Sequence, residues 1–110
     1  MSSSLDIFSQ LMEIIEDRRD NPPERSYTTA LFEGGVEKIG GKITEEAAEV
    51  VEAAHEVDED NGDHLVYESA DLIYHLFVML GHQRIPLDRV ANELARRFGT
   101  SGLDEKASRS

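Results

Sequence analysis

Apolar residues recur at steps of three and four along most of this chain, and that spacing constrains its fold more than any other feature. Between residues 35 and 57 the series is Val36, Ile39, Ile43, Ala47, Val50, Ala54 and Val57. Such steps place apolar side chains on one face of an α-helix. A strand would need strict alternation of apolar and polar residues, and no alternation continues long enough to compete. The sequence therefore predicts an all-α protein.

Prolines and glycines divide this pattern into separate helices. Pro22 and Pro23 end the first predicted helix, because proline removes a backbone donor and clashes with the preceding turn. The string YTTALFEGG predicts a short helix that is closed by Gly34 and Gly35.

Three further helices follow, at 35–57, at 62–81 with Gly81 as a C-terminal cap, and from Pro86 to Gly99. We expect a single domain over residues 1–99, built as an antiparallel helical bundle. Residues 100–110 are small and polar, which predicts a mobile C-terminal tail.

The string KITEEAAEVVEAA, at 42–54, crowds carboxylates into two helical turns, although like charges three or four residues apart repel. At about 100° per residue, the helices at 35–57 and 62–81 each carry an acidic pair on the same flank of the apolar stripe. The turn between them is short, which predicts an antiparallel hairpin with both acidic flanks on one side. We therefore expect one patch of four carboxylates, formed by Glu46, Glu49, Glu68 and Asp71.

Such a patch needs a counterion, because two unit charges 4 Å apart repel by about 1 kcal/mol in water and about 4 kcal/mol at an effective dielectric constant of 20. Mg²⁺ suits it, since this ion takes oxygen ligands and keeps positions open for water and phosphates. The alternative is that each acid lies on a solvated helix face. A di-iron site needs two Glu-x-x-His motifs, whereas the one such string runs from Glu52 to His55 on the outer face.

The net charge of −12 argues against nucleic acid or an anionic membrane as a partner, because both require a basic surface. An anionic substrate would need a bridging cation. The absence of cysteine excludes disulfides and thiolate metal sites. The start of the chain lacks the basic and apolar regions of a signal peptide, and the longest apolar run, 72–80, is too short for a membrane helix. We expect a cytoplasmic protein.

Four residues beside the acidic patch each have two interpretations. Glu45 lies between the acidic flank and the outer face, so it is either a solvated acid or a second-shell support for a ligand. Lys38 and Lys42 either bind substrate phosphate or pair with acids one turn away. His75, one turn after Asp71, either positions a ligand carboxylate or contacts substrate, or else it is a satisfied histidine at the edge of the core.

The helix at 62–81 is apolar on nearly every side, with Ile73, Phe77 and Val78 off its main stripe. A helix that is apolar all round is buried all round. In a chain this short, a second protomer is the expected cover, so we predict a homodimer with this helix in the interface.

Longer strings resemble a known family. The spacing of Glu45, Glu46, Glu49, Glu68 and Asp71 is similar to the metal motif of the MazG-like all-α nucleoside triphosphate pyrophosphohydrolases. The strings SYTTALFEGG, KITEEAAEVVEAA, ESADLIYHLFVML and GTSGLDEKASR resemble, more narrowly, the phosphoribosyl-ATP pyrophosphatase family. The chain departs from that family at two positions, where Gly41 replaces a frequent lysine and Thr44 a frequent glycine, so a side-chain phosphate contact at 41 is not expected.

The resemblance implies Mg²⁺-dependent hydrolysis of phosphoribosyl-ATP to phosphoribosyl-AMP and pyrophosphate, the second step of histidine biosynthesis. It places Mg²⁺ on Glu46, Glu49, Glu68 and Asp71. Our hypothesis assigns the role of catalytic base to Glu46 or Glu49, and phosphate binding to Lys38 and Lys42. Two alternatives are a house-cleaning (deoxy)nucleoside triphosphate pyrophosphohydrolase and a non-catalytic acidic dimerisation module.

Overall fold

The computed structural model describes residues 5–98, and all regular secondary structure in that range is helical. The helices are α1 (Asp6–Asp20), α2 (Tyr27–Ala54), α3 (Val57–Asp60), α4 (Asp63–His82) and α5 (Leu87–Phe98). The all-α prediction is confirmed. Gly99 and the predicted tail at 100–110 lie outside the described residues.

The helix α2 folds back on itself at Gly35, which has φ 73° and ψ −164°, a conformation that is essentially restricted to glycine. Tyr27 and Lys42 interact electrostatically across this reversal, whereas fifteen residues of straight helix would separate them by about 22 Å. The helix therefore consists of an N-terminal arm, 27–34, and a C-terminal arm, 36–54. The predicted closure of a short helix at Gly34 and Gly35 is confirmed.

The C-terminal arm of α2 packs antiparallel to α4. A Cβ added at Gly40 would lie 3.9 Å from Cε of Met79, and Glu46 lies opposite His75, nearer the start of α4. The link between the two helices contains the four-residue α3 and two left-handed residues, Asn61 at φ 64° and Gly62 at φ 86°. The predicted hairpin is present, with one turn of helix inside its connection.

The hydrophobic core lies where α1, α2 and α4 meet. Its buried members are Met12, Ile15, Leu31, Ile39, Phe77 and Val78. Arg19 fastens α1 to the end of α4, because its Nη1 donates a hydrogen bond to the carbonyl of Gly81 at 3.0 Å. These contacts fix α4 from two sides and leave its acidic flank facing the C-terminal arm of α2.

The prediction that Gly81 caps α4 is wrong. The helix continues to His82, its cap residue is Gln83, and Arg84 takes the left-handed conformation at φ 58°. A Cβ added at Gly81 would approach Cγ2 of Ile15 to 3.1 Å. Glycine therefore serves close packing of α1 against α4 rather than helix termination.

Between residues 5 and 98, no helix is both long enough and apolar enough to cross a membrane.

Candidate active site

Three of the predicted metal ligands meet between the C-terminal arm of α2 and α4. Ligand oxygens of Glu46, Glu68 and Asp71 all lie within 4.8 Å of one another. Glu46 and Glu68 are only 5% and 4% exposed, although ionised side chains are rarely buried without a partner. The antiparallel pairing of the two helices thus brings their acidic flanks together, as the residue spacing predicts.

Glu49, the fourth predicted ligand, lies within hydrogen-bonding reach of Glu68. A shared hydrogen bond with Glu49, together with burial and the negative charges of Glu49 and Glu46, raises the pKa of Glu68 to about 7. Crowded carboxylates reduce their repulsion by retaining a proton, which is the behaviour expected of a like-charged cluster. A cation that replaced this proton would relieve the same repulsion.

The cluster also contains an unused ligand atom. Oε2 of Glu68 is buried and has no hydrogen-bond partner among the described residues. A buried carboxylate oxygen without a partner is costly. The three acids of the cluster offer only oxygen ligands, the donor type that hard divalent cations prefer. The residues present therefore fit a divalent metal ion.

His75 lies behind the cluster and is 3% exposed. Its Nδ1 donates a hydrogen bond to the backbone carbonyl of Asp71 at 2.9 Å and lies 3.5 Å from Oε1 of Glu46. In the neutral imidazole, Nε2 then accepts a hydrogen bond from the hydroxyl of Tyr27 at 2.9 Å. Both ring nitrogens have partners inside the protein, so direct substrate binding by His75 stays a prediction, while its contact with a candidate ligand is observed.

Tyr27 was not singled out by the sequence pattern. Ser26 begins α2 as its N-cap, since its hydroxyl accepts a hydrogen bond from the backbone of Thr29 at 3.3 Å. That cap makes Tyr27 the first helical residue, but only the reversal at Gly35 brings it to His75. The capping serine was a visible signal for the start of the helix, and the angle of the reversal was not.

The two predicted phosphate-binding lysines lie on the C-terminal arm of α2, one turn apart. The ammonium of Lys42 lies 3.7 Å from Oε2 of Glu45. The pKa of Lys42 is raised by the phenol oxygen of Tyr27 and then by the nearby acids Glu45 and Glu46. Lys38 is exposed, and its aliphatic stem packs over Gly34. Glu45 is exposed and pairs with Lys42.

Comparison with known proteins agrees with this geometry. Residues 8–98 match the family model described as phosphoribosyl-ATP pyrophosphohydrolase. The chain belongs to this family. A phosphoribosyl-ATP pyrophosphatase of Rhodopirellula baltica is 54% identical over 99% of the chain and 91% of the relative. Phosphoribosyl-ATP pyrophosphatases from Geobacter sulfurreducens and Rhizobium johnstonii are 48% and 50% identical to this chain. These matches cover 99% and 92% of this chain, and 98% and 92% of the relatives.

Membership of the phosphoribosyl-ATP pyrophosphohydrolase family confirms the resemblance that the four strings indicated. It establishes the class of enzyme, a hydrolase, and the all-α fold that goes with it. The assignment of individual residues rests on the geometry of this chain.

A second group of possible ligands, Glu56, Asp60 and His64, lies around α3 and the start of α4. Both carboxylate oxygens of Asp60 accept backbone hydrogen bonds, from Gly62 at 3.0 Å and from His64 at 3.1 Å. A hydrogen bond to Glu56 at 2.8 Å occupies Nδ1 of His64 and raises the pKa of this histidine. These contacts cap the helix and account for the group without a metal ion.

Proposed function

We propose that this chain hydrolyses phosphoribosyl-ATP between its α and β phosphates, releasing phosphoribosyl-AMP and pyrophosphate in the second step of histidine biosynthesis. Family membership supports the reaction class and the substrate. The observation that carries the proposal is the convergence of buried carboxylates from two helices, one of which has a pKa raised to about 7. A helix that needed acidic residues only for solubility would keep them exposed to water.

The residues that would hold the metal ion are Glu46, Glu49, Glu68 and Asp71, and we propose Mg²⁺ as the ion. All four offer carboxylate oxygens, the ligand type that Mg²⁺ prefers. When bound, the ion would neutralise the cluster, polarise the phosphates and lower the pKa of a coordinated water.

Side chains of this protein would supply the general base and the positive charge that the reaction also needs. Glu46 or Glu49 would orient the attacking water and take its proton, because both lie at the cluster. Lys42 and Lys38 would bind phosphate oxygens of the substrate and balance the charge of the leaving pyrophosphate. Glu45, predicted to support a ligand, pairs with Lys42, so we propose that it holds this lysine in place.

We also propose a homodimer in which α4 contributes to the interface. Twelve large hydrophobic side chains are exposed among the described residues, whereas seven hydrophobic residues are buried. Two of the exposed side chains, Ile7 and Val66, lie at an apolar groove of about 470 Å³ between α1 and α4. The groove is lined by Ile7, Phe8, Leu11, Leu65, Val66, Ser69, Ala70 and Ile73. A second copy is the proposed occupant, because a two-fold axis pairs identical uncharged patches while keeping the acidic surface in water. A cytoplasmic location stays a prediction.

A pyrophosphate-release assay tests the activity. The purified chain is incubated with phosphoribosyl-ATP, dUTP or dCTP, each with Mg²⁺ or with EDTA. We expect release from phosphoribosyl-ATP at least about 100-fold faster than from the other two and only with Mg²⁺, because an enzyme specific for this substrate has a higher kcat/KM for it than for its competitors. Faster release from dUTP or dCTP would favour a house-cleaning enzyme. No release from any nucleotide, and no thermal shift with Mg²⁺, would leave a dimerisation module.

A further inference from the structure

The start of α2 is held against α4 by a small aromatic network. The side chain of Thr28, which is buried, hydrogen-bonds to the hydroxyl of Tyr74. The ring of Tyr27 stacks near Tyr74, with centroids 6.3 Å apart, and meets the ring of His75 edge-on at 5.9 Å. The network fixes where the phenol of Tyr27 lies relative to α4.

Only one of the two hydroxyls bonds to the histidine that lies behind the acidic cluster. The hydroxyl of Tyr74 ends at Thr28, whereas that of Tyr27 donates to Nε2 of His75 at 2.9 Å. Tyr27 is half exposed, and the partial loss of water around its phenol raises its pKa, so the hydroxyl is a donor at neutral pH. The hydroxyl of Tyr27 can therefore influence the orientation of the His75 ring, whereas the hydroxyl of Tyr74 bonds to Thr28 instead.

On the far side of the same imidazole lie two candidate metal ligands. The Nδ1–H group of His75 donates to the backbone carbonyl of Asp71 and lies 3.5 Å from Oε1 of Glu46. Both His75 and Glu46 are buried, so little water competes for this contact. Rotation of the ring would move Nδ1 away from both the carbonyl of Asp71 and the carboxylate of Glu46, and the bond from Tyr27 opposes that rotation.

We propose that Tyr27 is a positioning residue: through His75, its hydroxyl holds the carboxylate of Glu46 in the orientation that binds the divalent cation. The proposal rests on the proposed metal-dependent function and adds a residue to it. Removing a residue that orients a metal ligand without binding the metal itself typically lowers metal affinity or activity by about 10- to 100-fold. Tyr27 acts through an intermediate ring, so we place it at the lower end of that range.

The test compares Tyr27→Phe with Tyr74→Phe. Each substitution removes one hydroxyl from adjacent rings and leaves one buried partner without its hydrogen bond, which gives both variants a similar loss of stability. We expect Tyr27→Phe to weaken the binding of Mg²⁺ to the nucleotide-free protein about tenfold, measured by isothermal titration calorimetry. Tyr74→Phe should bind Mg²⁺ as the unaltered protein does, and melting temperatures will show that both variants are folded.

Kinetics supply a second readout. For Tyr27→Phe, the Mg²⁺ concentration that gives half-maximal rate should rise about tenfold, while the rate at saturating Mg²⁺ and the KM for phosphoribosyl-ATP stay close to their original values. Unchanged Mg²⁺ affinity in Tyr27→Phe, or an equal loss in both variants, would overturn the inference. An unaltered protein that binds Mg²⁺ but does not hydrolyse phosphoribosyl-ATP would instead overturn the proposed function, so the two failures are distinguishable.

Discussion

Where α4 faces the C-terminal arm of α2, it buries carboxylates beside the hydrophobic core, whereas along α1 the same helix exposes an apolar groove. On the first side, ligand oxygens of Glu46, Glu68 and Asp71 lie within 4.8 Å of one another. The second leaves a groove of about 470 Å³ whose lining is almost entirely apolar. Both surfaces are unfavourable in the isolated chain, one because like charges repel and the other because apolar area meets water.

The difference indicates two separate partners. Repulsion among carboxylates is relieved by a cation, and an uncovered apolar groove is relieved by another apolar surface. Neither partner can serve the other side. We therefore expect substitutions on the acidic side to change catalysis without changing assembly, and substitutions in the groove to change assembly first.

The largest effect is expected from Glu49→Gln. The amide keeps the shape of the side chain but cannot take a proton and is a weaker ligand, so kcat should fall by roughly 10³-fold, within the range for loss of a general base. Circular dichroism should show unchanged helix content, and size-exclusion chromatography an unchanged assembly.

Glu52→Gln is the matched control for this change. Glu52 lies three residues further along the same helix, is exposed, and should tolerate the substitution with full activity. If Glu49→Gln retained activity, Glu49 would have no part in the reaction.

Next in size is the effect of Val66→Glu on assembly. Val66 lines the groove and is 69% exposed, so the single chain should fold with the substitution. In a dimer that covers the groove, the new carboxylate would be buried without a partner, which should weaken association by roughly 30-fold or more. Analytical ultracentrifugation over a dilution series measures this change.

Val51→Glu provides the comparison, because Val51 is 62% exposed and does not line the groove. This variant should associate as the unaltered chain does. Equal association of all three proteins would exclude the groove as the interface.

The sequence was sufficient to predict the acidic side of this comparison. Helical periodicity fixes which flank each acid occupies, and a short connection fixes how two flanks meet. Glu46, Glu68 and Asp71 meet in the structure as that argument requires. No information about distant contacts was needed, because the argument used only angles about two adjacent helices.

The sequence was less informative where contacts depend on an angle between arms. Tyr27 reaches His75 only because the chain reverses at Gly35, and the direction of a reversal cannot be read from the glycine. The apolar stripes also did not predict burial. Val36 lies on one of them, yet it is 51% exposed, because a single chain of this size offers too few helices to cover every stripe.

The smallest predicted effect concerns the acidic side, and it is a change in thermal stability with pH in the absence of metal. The pKa of Glu68 is raised to about 7 from an ordinary value of 4.5, so the folded chain binds this proton more tightly than the unfolded chain does. Its contribution to stability is therefore complete below about pH 4.5 and is lost as the pH rises through about 7. Glu68→Gln imitates the protonated carboxyl at every pH.

In EDTA, the melting temperatures of Glu68→Gln and the unaltered protein should therefore nearly coincide at pH 4.5. The variant should become the more stable of the two by a few degrees at pH 8. Glu52→Gln, on the exposed face, should follow the unaltered protein throughout. Added Mg²⁺ should reverse the order at pH 8, because the ion stabilises only a protein that still carries the carboxylate ligand. If the melting temperatures of Glu68→Gln and the unaltered protein differed by the same amount at every pH in EDTA, Glu68 would not share its proton with Glu49. The case for a cation at this cluster would then lose its electrostatic basis.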